Sequence, residues 1–222
     1  MAENNIEQAR FNMVEQQIRP WDVLDQRVLD TLSTVPREAY VPNAYRNVAF
    51  ADTEIPLGHG EQMMKPVIEA RMLQALAIKP TDKILEIGTG SGFITACLAE
   101  LGDQVTSMEI QAELAEQASN RLEAQGISNA MVKTGDGLAT ASTHGTFDAI
   151  AVTGSLPCAE TADDLKAQLN PGGRMFVIIG EGAVMEASLI TRTGTNQWTC
   201  EALFETELPA LTYAPAADAF QF

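Results

Sequence analysis

Ile6, Ala9, Met13 and Val14 recur at intervals of three and four, the spacing of one helical face, and predict a helix over roughly residues 6–18. Asn5 followed by Gln8 has the form of a capping box at its start, and Arg19-Pro20 stops it. Asp25 can cap a second helix carrying Val28, Leu29 and Leu32, which ends before Pro36. Pro42, Pro56, Gly58 and Gly60 mark a loop region. Pro66 suits the first turn of a third helix bearing Ala70, Leu73 and Leu76, closed by Lys79-Pro80.

From Asp82 the period changes. Short apolar runs at 83–87, 104–109, 130–134, 147–152 and 174–179 read as strands, and 93–101, 112–124 and 162–169 read as helices between them. Nearly continuous apolar strands alternating with helices predict a parallel sheet covered on both faces, an α/β doubly wound architecture. Residues 187–193 and 197–206, flanking Gly194-Thr195-Asn196, predict an antiparallel hairpin at one edge. One domain over 1–222 is expected, with a helical N-terminal extension (1–80) ahead of the α/β core (81–222).

Composition narrows the chemistry. The 222 residues carry a net charge of −16, and 45% of them are apolar. Strong acidity repels a phosphate backbone and argues against a nucleic-acid partner. No run approaches the roughly 20 apolar residues of a membrane helix, and the polar start Met1-Ala2-Glu3-Asn4-Asn5 lacks the form of a secretion signal, so a cytoplasmic protein without a membrane partner is expected. Three dispersed cysteines (Cys97, Cys158, Cys200) and two isolated histidines (His59, His144) predict neither a disulfide framework nor a metal site.

The candidate site begins at Glu86-Ile87-Gly88-Thr89-Gly90-Ser91-Gly92, after the first parallel strand. Its glycines permit a tight strand-to-helix turn and close approach of a ligand to the backbone. The spacing is GxGxG, not the GxGxxG of dinucleotide-binding folds, and Phe93-Ile94 stands where a P-loop has Lys-Ser or Lys-Thr. Glu109, followed by Ile110, ends the next strand about 20 residues on, where a carboxylate can accept from both hydroxyls of a ribose. Gly135-Asp136-Gly137 follows the third strand, and Asp136 can accept from an adenine amino group. Three such groups at the carboxyl ends of successive parallel strands predict a nucleoside site.

These residues resemble the successive motifs of the class I S-adenosylmethionine-dependent methyltransferases. Beyond them, the chain resembles the protein-L-isoaspartate O-methyltransferase family in Val35-Pro36-Arg37-Glu38-Ala39-Tyr40-Val41-Pro42, in Ile55-Pro56-Leu57-Gly58-His59-Gly60, in Gly88 to Ala96, in Phe147 to Thr153 and in Gln168 to Gly173. The likeness spans roughly residues 7–180 and fades after Gly180. It implies S-adenosylmethionine as cofactor and S-adenosylhomocysteine as product. The implied acceptor is a protein or peptide carboxylate, with a different acceptor such as a small molecule, or a cofactor-binding homologue without repair activity, as the alternatives. Where that family has Gln-Thr-Ile-Ser-x-Pro, this chain reads Glu61-Gln62-Met63-Met64-Lys65-Pro66, so Met64 stands at the serine and Gln62 at the threonine. Met64 has no hydroxyl donor.

A carboxylate acceptor, with a pKa of about 4, is already ionised at neutral pH and needs no base, whereas an amine or hydroxyl would favour one. His59 is the one candidate base in the motifs. Lys65 and Arg37 are candidates to attract the acceptor carboxylate. The catalytic candidates are therefore His59, Gln62, Met64 and Lys65.

Overall fold

The computed structural model of the protein describes residues 3–139, 145–182 and 184–215. Its N-terminal part holds α1 (Glu3–Asn12), a wider π-type turn over Met13–Ile18, α2 (Gln26–Thr34), the short α3 (Arg37–Tyr40) and α4 (Pro66–Leu76). The Asp25 carboxylate accepts from the backbone N–H of Arg27 at 2.9 Å and caps α2, and Pro66 opens α4, both as the sequence predicts. Asn5 does not cap α1. It lies inside a helix that is already formed at Glu3. His144 lies outside the described residues.

Residues 55–63 form a hairpin where a loop was expected: β1 (Ile55–Gly58) pairs antiparallel with β2 (Glu61–Met63) around His59 and Gly60. After α4 come β3 (Lys83–Ile87), α5 (Phe93–Leu101), β4 (Gln104–Glu109), α6 (Ala112–Ala124), β5 (Ala130–Thr134), β6 (Phe147–Leu156), α7 (Asp163–Lys166), β7 (Leu169–Ile179), β8 (Met185–Gly194) and β9 (Gln197–Thr206). The main sheet runs β5-β4-β3-β6-β7-β8-β9. Its first five strands are parallel, and β8 and β9 add the antiparallel edge. This is the doubly wound α/β fold that the alternation of strands and helices predicts.

Helix α7 is shorter than the predicted 162–169. Pro171-Gly172-Gly173 stops no helix; it lies inside β7, where the register against β6 slips between Phe147↔Leu169 and Ala149↔Arg174. A side chain at 173 would stand 2.8 Å from the Asn170 carbonyl, so glycine permits the irregularity.

Alternate residues of the central strands enter different cores, as the period of a pleated strand requires. Ile84, Ala149 and Phe176 join Met13, Leu29, Leu32 and Leu73 on one face of the sheet, while Leu85, Ile150 and Val177 pack with Leu165 and Leu169 on the other. The N-terminal helices thus supply one apolar layer. Arg27 fastens them by donating to the carbonyls of Ile78 and Leu101. Among the described residues no helix is long and apolar enough to cross a membrane.

Candidate active site

The sheet reverses its winding at β3, whose neighbours are β4 on one side and β6 on the other. Open α/β sheets bind ligands outside such a point, at the carboxyl ends of the strands. A cleft opens there. It is lined by Gly88, Gly90, Glu109, Ile110, Asp136 and Gly137, with Ile87, Met108, Leu138, Thr153 and Gly154 beside them.

The glycine loop is held from behind and from the side. Gly88 has φ +95°, and a Cβ there would stand 2.4 Å from Thr153 Oγ1. The Thr153 hydroxyl itself donates to the carbonyls of Ile87 and Gly88, so the close approach fixes the loop. Gly92 turns the chain into α5 with φ +87°. Both carboxylate oxygens of Glu109 accept backbone N–H groups: Oε2 from Gly90 at 2.7 Å and Oε1 from Gln111 at 3.0 Å. Asp136 Oδ1 accepts from the N–H groups of Leu138 and Ala139, which fixes the turn after β5.

Glu86 lies elsewhere than expected. It points behind the loop, is fully buried, and takes no part in the cleft lining. Its Oε2 accepts from the hydroxyls of Thr95 and Ser107, both at 2.5 Å, and Ser107 meets the Thr89 hydroxyl. Burial pushes its pKa up to about 8 against the pull of those two hydroxyls. Glu86 therefore braces the loop from within the core. Thr89, Ser91 and Gly90 line a second pocket of about 300 Å³, and Gly92 lines neither cavity.

That second pocket lies between the glycine loop and the β1–β2 hairpin, with Leu57, Gln62, Met63, Met64, Glu69 and Ile94 in its wall. Gln62 also lines the first cleft, so this residue is shared by the two cavities. Met64 is buried, 4% exposed, in the core that includes α4 and α5. Arg37 is not a docking group for an acceptor. It is fully buried, donates to the carbonyls of Ala49 and Met64, is salt-bridged to Glu69 and stacks on Phe93 with 4.8 Å to the ring centre. Burial raises Glu69 to about pH 7 despite that Arg37 partner.

His59 is not in either cavity. It occupies the exposed tip of the hairpin with φ +57°, and its ring faces Glu113 at 3.1 Å. Lys65 turns outward too. Its ammonium lies 3.6 Å from Glu54 and lines a separate groove, not the second pocket. Of the four catalytic candidates, Gln62 and Met64 reach the second pocket and Gln62 alone reaches the cleft as well.

The roof of the cleft was missed in the sequence. Residues 208–212 lie across it: Ser155 N–H donates to the Pro209 carbonyl, Leu211 N–H donates to the Ser155 carbonyl, and Thr212 donates to Glu61 of the hairpin at 2.9 Å. Leu211 packs 3.4 Å from where a Cβ of Gly88 would be. Thr153 was legible by the rule that picked out Glu109 and Asp136, since it directly follows the strand predicted over 147–152, although β6 itself runs on to Leu156. The strap after Thr206 carries no periodic pattern and gave no such signal.

Fold, switch-point cleft and GxGxG loop together define an S-adenosylmethionine-dependent methyltransferase of the doubly wound type. Residues 8–214 match the model of the protein-L-isoaspartate(D-aspartate) O-methyltransferase family, well past the point near Gly180 where the likeness of motifs fades. The protein-L-isoaspartate O-methyltransferase of Methylorubrum extorquens is 39% identical over 191 residues, 86% of this chain and 82% of that one. That of Koribacter versatilis is 41% identical over 171 residues, 77% and 76% of the two chains. A crystal structure described as a protein-L-isoaspartate O-methyltransferase from Plasmodium falciparum, in complex with S-adenosyl-L-homocysteine, superposes with a TM-score of 0.78 at 22% identity over 95% of this chain and 99% of that one. The chain belongs to the protein-L-isoaspartate(D-aspartate) O-methyltransferase family.

Proposed function

We propose that the protein methylates an isoaspartyl carboxylate of a protein or peptide, with S-adenosylmethionine in the switch-point cleft and the acceptor in the pocket beyond Gln62. The cofactor supplies an electrophilic methyl group on a sulfonium sulfur. The cleft fits such a group in three respects. Gly88 and Gly90 present bare backbone to it, Glu109 and Asp136 place carboxylates along its wall, and Ile87, Met108 and Leu138 supply apolar surface. In this reading Glu109 accepts from ribose hydroxyls, Asp136 from the adenine amino group, and the backbone at Gly88, Gly90, Gly137 and Ile110 gives the ligand close contact. Glu86, Thr89, Ser91 and Gly92 shape the loop.

Methyl transfer to a carboxylate asks only that the acceptor oxygen be held in line and that water be kept out. The chain's residues suit that task. The hairpin and the 208–212 strap cover the cleft, and the Gln62 amide can donate to an acceptor carboxylate at the junction. The observation that carries the reading is this junction, where one polar side chain walls both the cofactor cleft and the neighbouring pocket. The test is methyl transfer from labelled S-adenosylmethionine to an isoaspartyl peptide beside its aspartyl control, with transfer expected to the former only. S-adenosylhomocysteine at about 100 times its dissociation constant should stabilise the fold by about 2.7 kcal/mol, and NAD should not.

A specific observation favours a second reading. Among the described residues, the lining of the second pocket includes no Lys, Arg or His, and Met64 presents an apolar side chain. That wall suits a less polar acceptor than a peptide carboxylate. Turnover of the isoaspartyl peptide at a rate independent of Met64 would dismiss it.

A further inference from the structure

The sequence motifs leave one large feature without a role. A groove of about 1000 Å³ runs from Gln62 past Lys65 to the turn at Gly180–Gly182 and the first residues of the strap. Gln62 walls it as well as the cleft and the second pocket, so the groove lies next to the proposed acceptor side. Among the described residues its charged rim consists of Glu54, Glu181 and Glu207 against one cation, Lys65, and Lys65 is already paired with Glu54. Glu181 and Glu207 are exposed, and neither has an ion-pair partner among the described residues.

A second feature points to an occupant. Ser155 lines the groove and is fully buried; its backbone N–H and carbonyl are used by Pro209 and Leu211, but its hydroxyl has no partner among the described residues. Buried hydroxyls left unpaired are uncommon, and one at the wall of a groove is a hydrogen-bonding position for what fills it. Met185, Leu208 and Pro157 supply apolar surface beside it. The groove thus offers a long polar-and-apolar trough with a negative rim, which a polypeptide chain carrying cationic side chains would complement.

We infer that this groove holds the substrate polypeptide on one side of the methylated residue and selects for lysine or arginine there through Glu181 and Glu207. The inference rests on the proposed polypeptide acceptor. It makes the enzyme selective among isoaspartyl sites according to their flanking charge.

The test is binding, read by fluorescence anisotropy on the full chain saturated with S-adenosylhomocysteine. Three labelled isoaspartyl hexapeptides differ only in their flanks, which are lysine, glutamine or glutamate. The lysine peptide is expected to bind about fivefold more tightly than the glutamate peptide, as two partly exposed charge pairs would give. The preference should vanish at about 1 M salt, where the Debye length falls to about 3 Å. Glu181→Lys with Glu207→Lys should reverse it at low salt, and Ser155→Ala should weaken all three peptides alike. Equal binding of the three peptides, or a lysine preference that survives the double reversal, overturns the inference. Methyl transfer measured on the same peptides separates the two proposals: a flank preference in binding without transfer would sink the repair reading and leave the groove standing, and efficient transfer without a flank preference would do the opposite.

Discussion

The two halves of the site are held by opposite means. Around the first cleft the backbone does the work: the Gly88 carbonyl accepts from the Thr153 hydroxyl, the Gly90 N–H donates to Glu109, and the buried Glu86 braces the loop through Ser107 and Thr89. On the acceptor side an ion pair does it. Arg37, deep in the core, ties the Met64 carbonyl, the Ala49 carbonyl and Glu69 into one point and stacks on Phe93, the residue that opens α5 right after the glycine loop. A cofactor that is the same molecule whatever the acceptor suits a rigid backbone cradle. A pocket walled by side chains can be altered by substitution without touching that cradle, and under the proposed function Met64 is such an alteration.

The largest effect that would test this contrast is at the ion pair. Glu69→Ala leaves the Arg37 guanidinium buried without its carboxylate, and removal of one partner from a buried pair typically removes about 3–5 kcal/mol. A fall in Tm of roughly 10 °C is expected for a chain of this size. Replacing both residues by apolar ones, Arg37→Met with Glu69→Leu, should recover most of the loss, because the pair as a whole repays little of its desolvation. Thermal unfolding of the single and double variants decides. A single variant as stable as the native chain would mean that the hairpin is held by its own strand pairing alone.

Glu109→Ala tests the other half. Its carboxylate would lose both the ribose hydroxyls and the Gly90 and Gln111 amides, so affinity for S-adenosylhomocysteine should drop about 10- to 100-fold, or roughly 1.4–2.7 kcal/mol. Calorimetric titration gives the answer. If affinity is unchanged, the residue serves the loop's internal geometry and the ribose assignment fails.

How much of this contrast was legible in the sequence follows from the same physics. Glu109 and Asp136 could be placed because strand ends on a parallel sheet converge on one line, so chain position fixes spatial position. Glu86 was misplaced by one step of the pleat: adjacent residues of a strand face opposite ways, and nothing in the motif said that its side chain points inward. Arg37 reads in the sequence as a cation free to attract the acceptor carboxylate, because a buried arginine needs a partner distant in sequence, and Glu69 lies 32 residues away. The β1–β2 hairpin was hidden by its shortness and by Pro56, which argues against a strand. The strap at 208–212 has neither period nor motif, and its role exists only through contacts with Ser155 and Glu61.

Glu86→Gln sharpens the account of the cradle through pH. The folded pKa of about 8 lies above the ordinary value of 4.5, so the native chain keeps a proton there that the unfolded chain releases. The stability from this group is complete below about pH 4.5 and declines as pH rises towards 8, by at most about 1.4 kcal/mol per pH unit. Glutamine cannot ionise, so the variant should lose less stability between pH 5 and pH 8 than the native chain, with a relative gain of roughly 3 kcal/mol at pH 8. Urea unfolding at the two pH values measures it. Parallel pH dependences would show that Glu86 is ionised in the folded protein.

Met64 carries the smallest and most informative change. Substituting serine restores the hydroxyl of the family pattern but also empties a buried, 4%-exposed site, and a large-to-small change in a core destabilises by about 2–5 kcal/mol on its own. Comparing native and Met64→Ser rates alone would mix the two effects. Met64→Ala supplies the correction, since it leaves a similar cavity with no hydroxyl. If the hydroxyl matters to a carboxylate in the second pocket, Met64→Ser should exceed Met64→Ala by about tenfold in kcat/KM on an isoaspartyl peptide, the worth of one hydrogen bond to a charged group. S-adenosylhomocysteine affinity should be the same in both, because Met64 lines the second pocket and not the cleft. Equal rates for serine and alanine would assign the orienting role to Gln62, which lines both cavities. In that case Gln62→Ala, and not any change at Met64, should abolish transfer while leaving the cofactor bound.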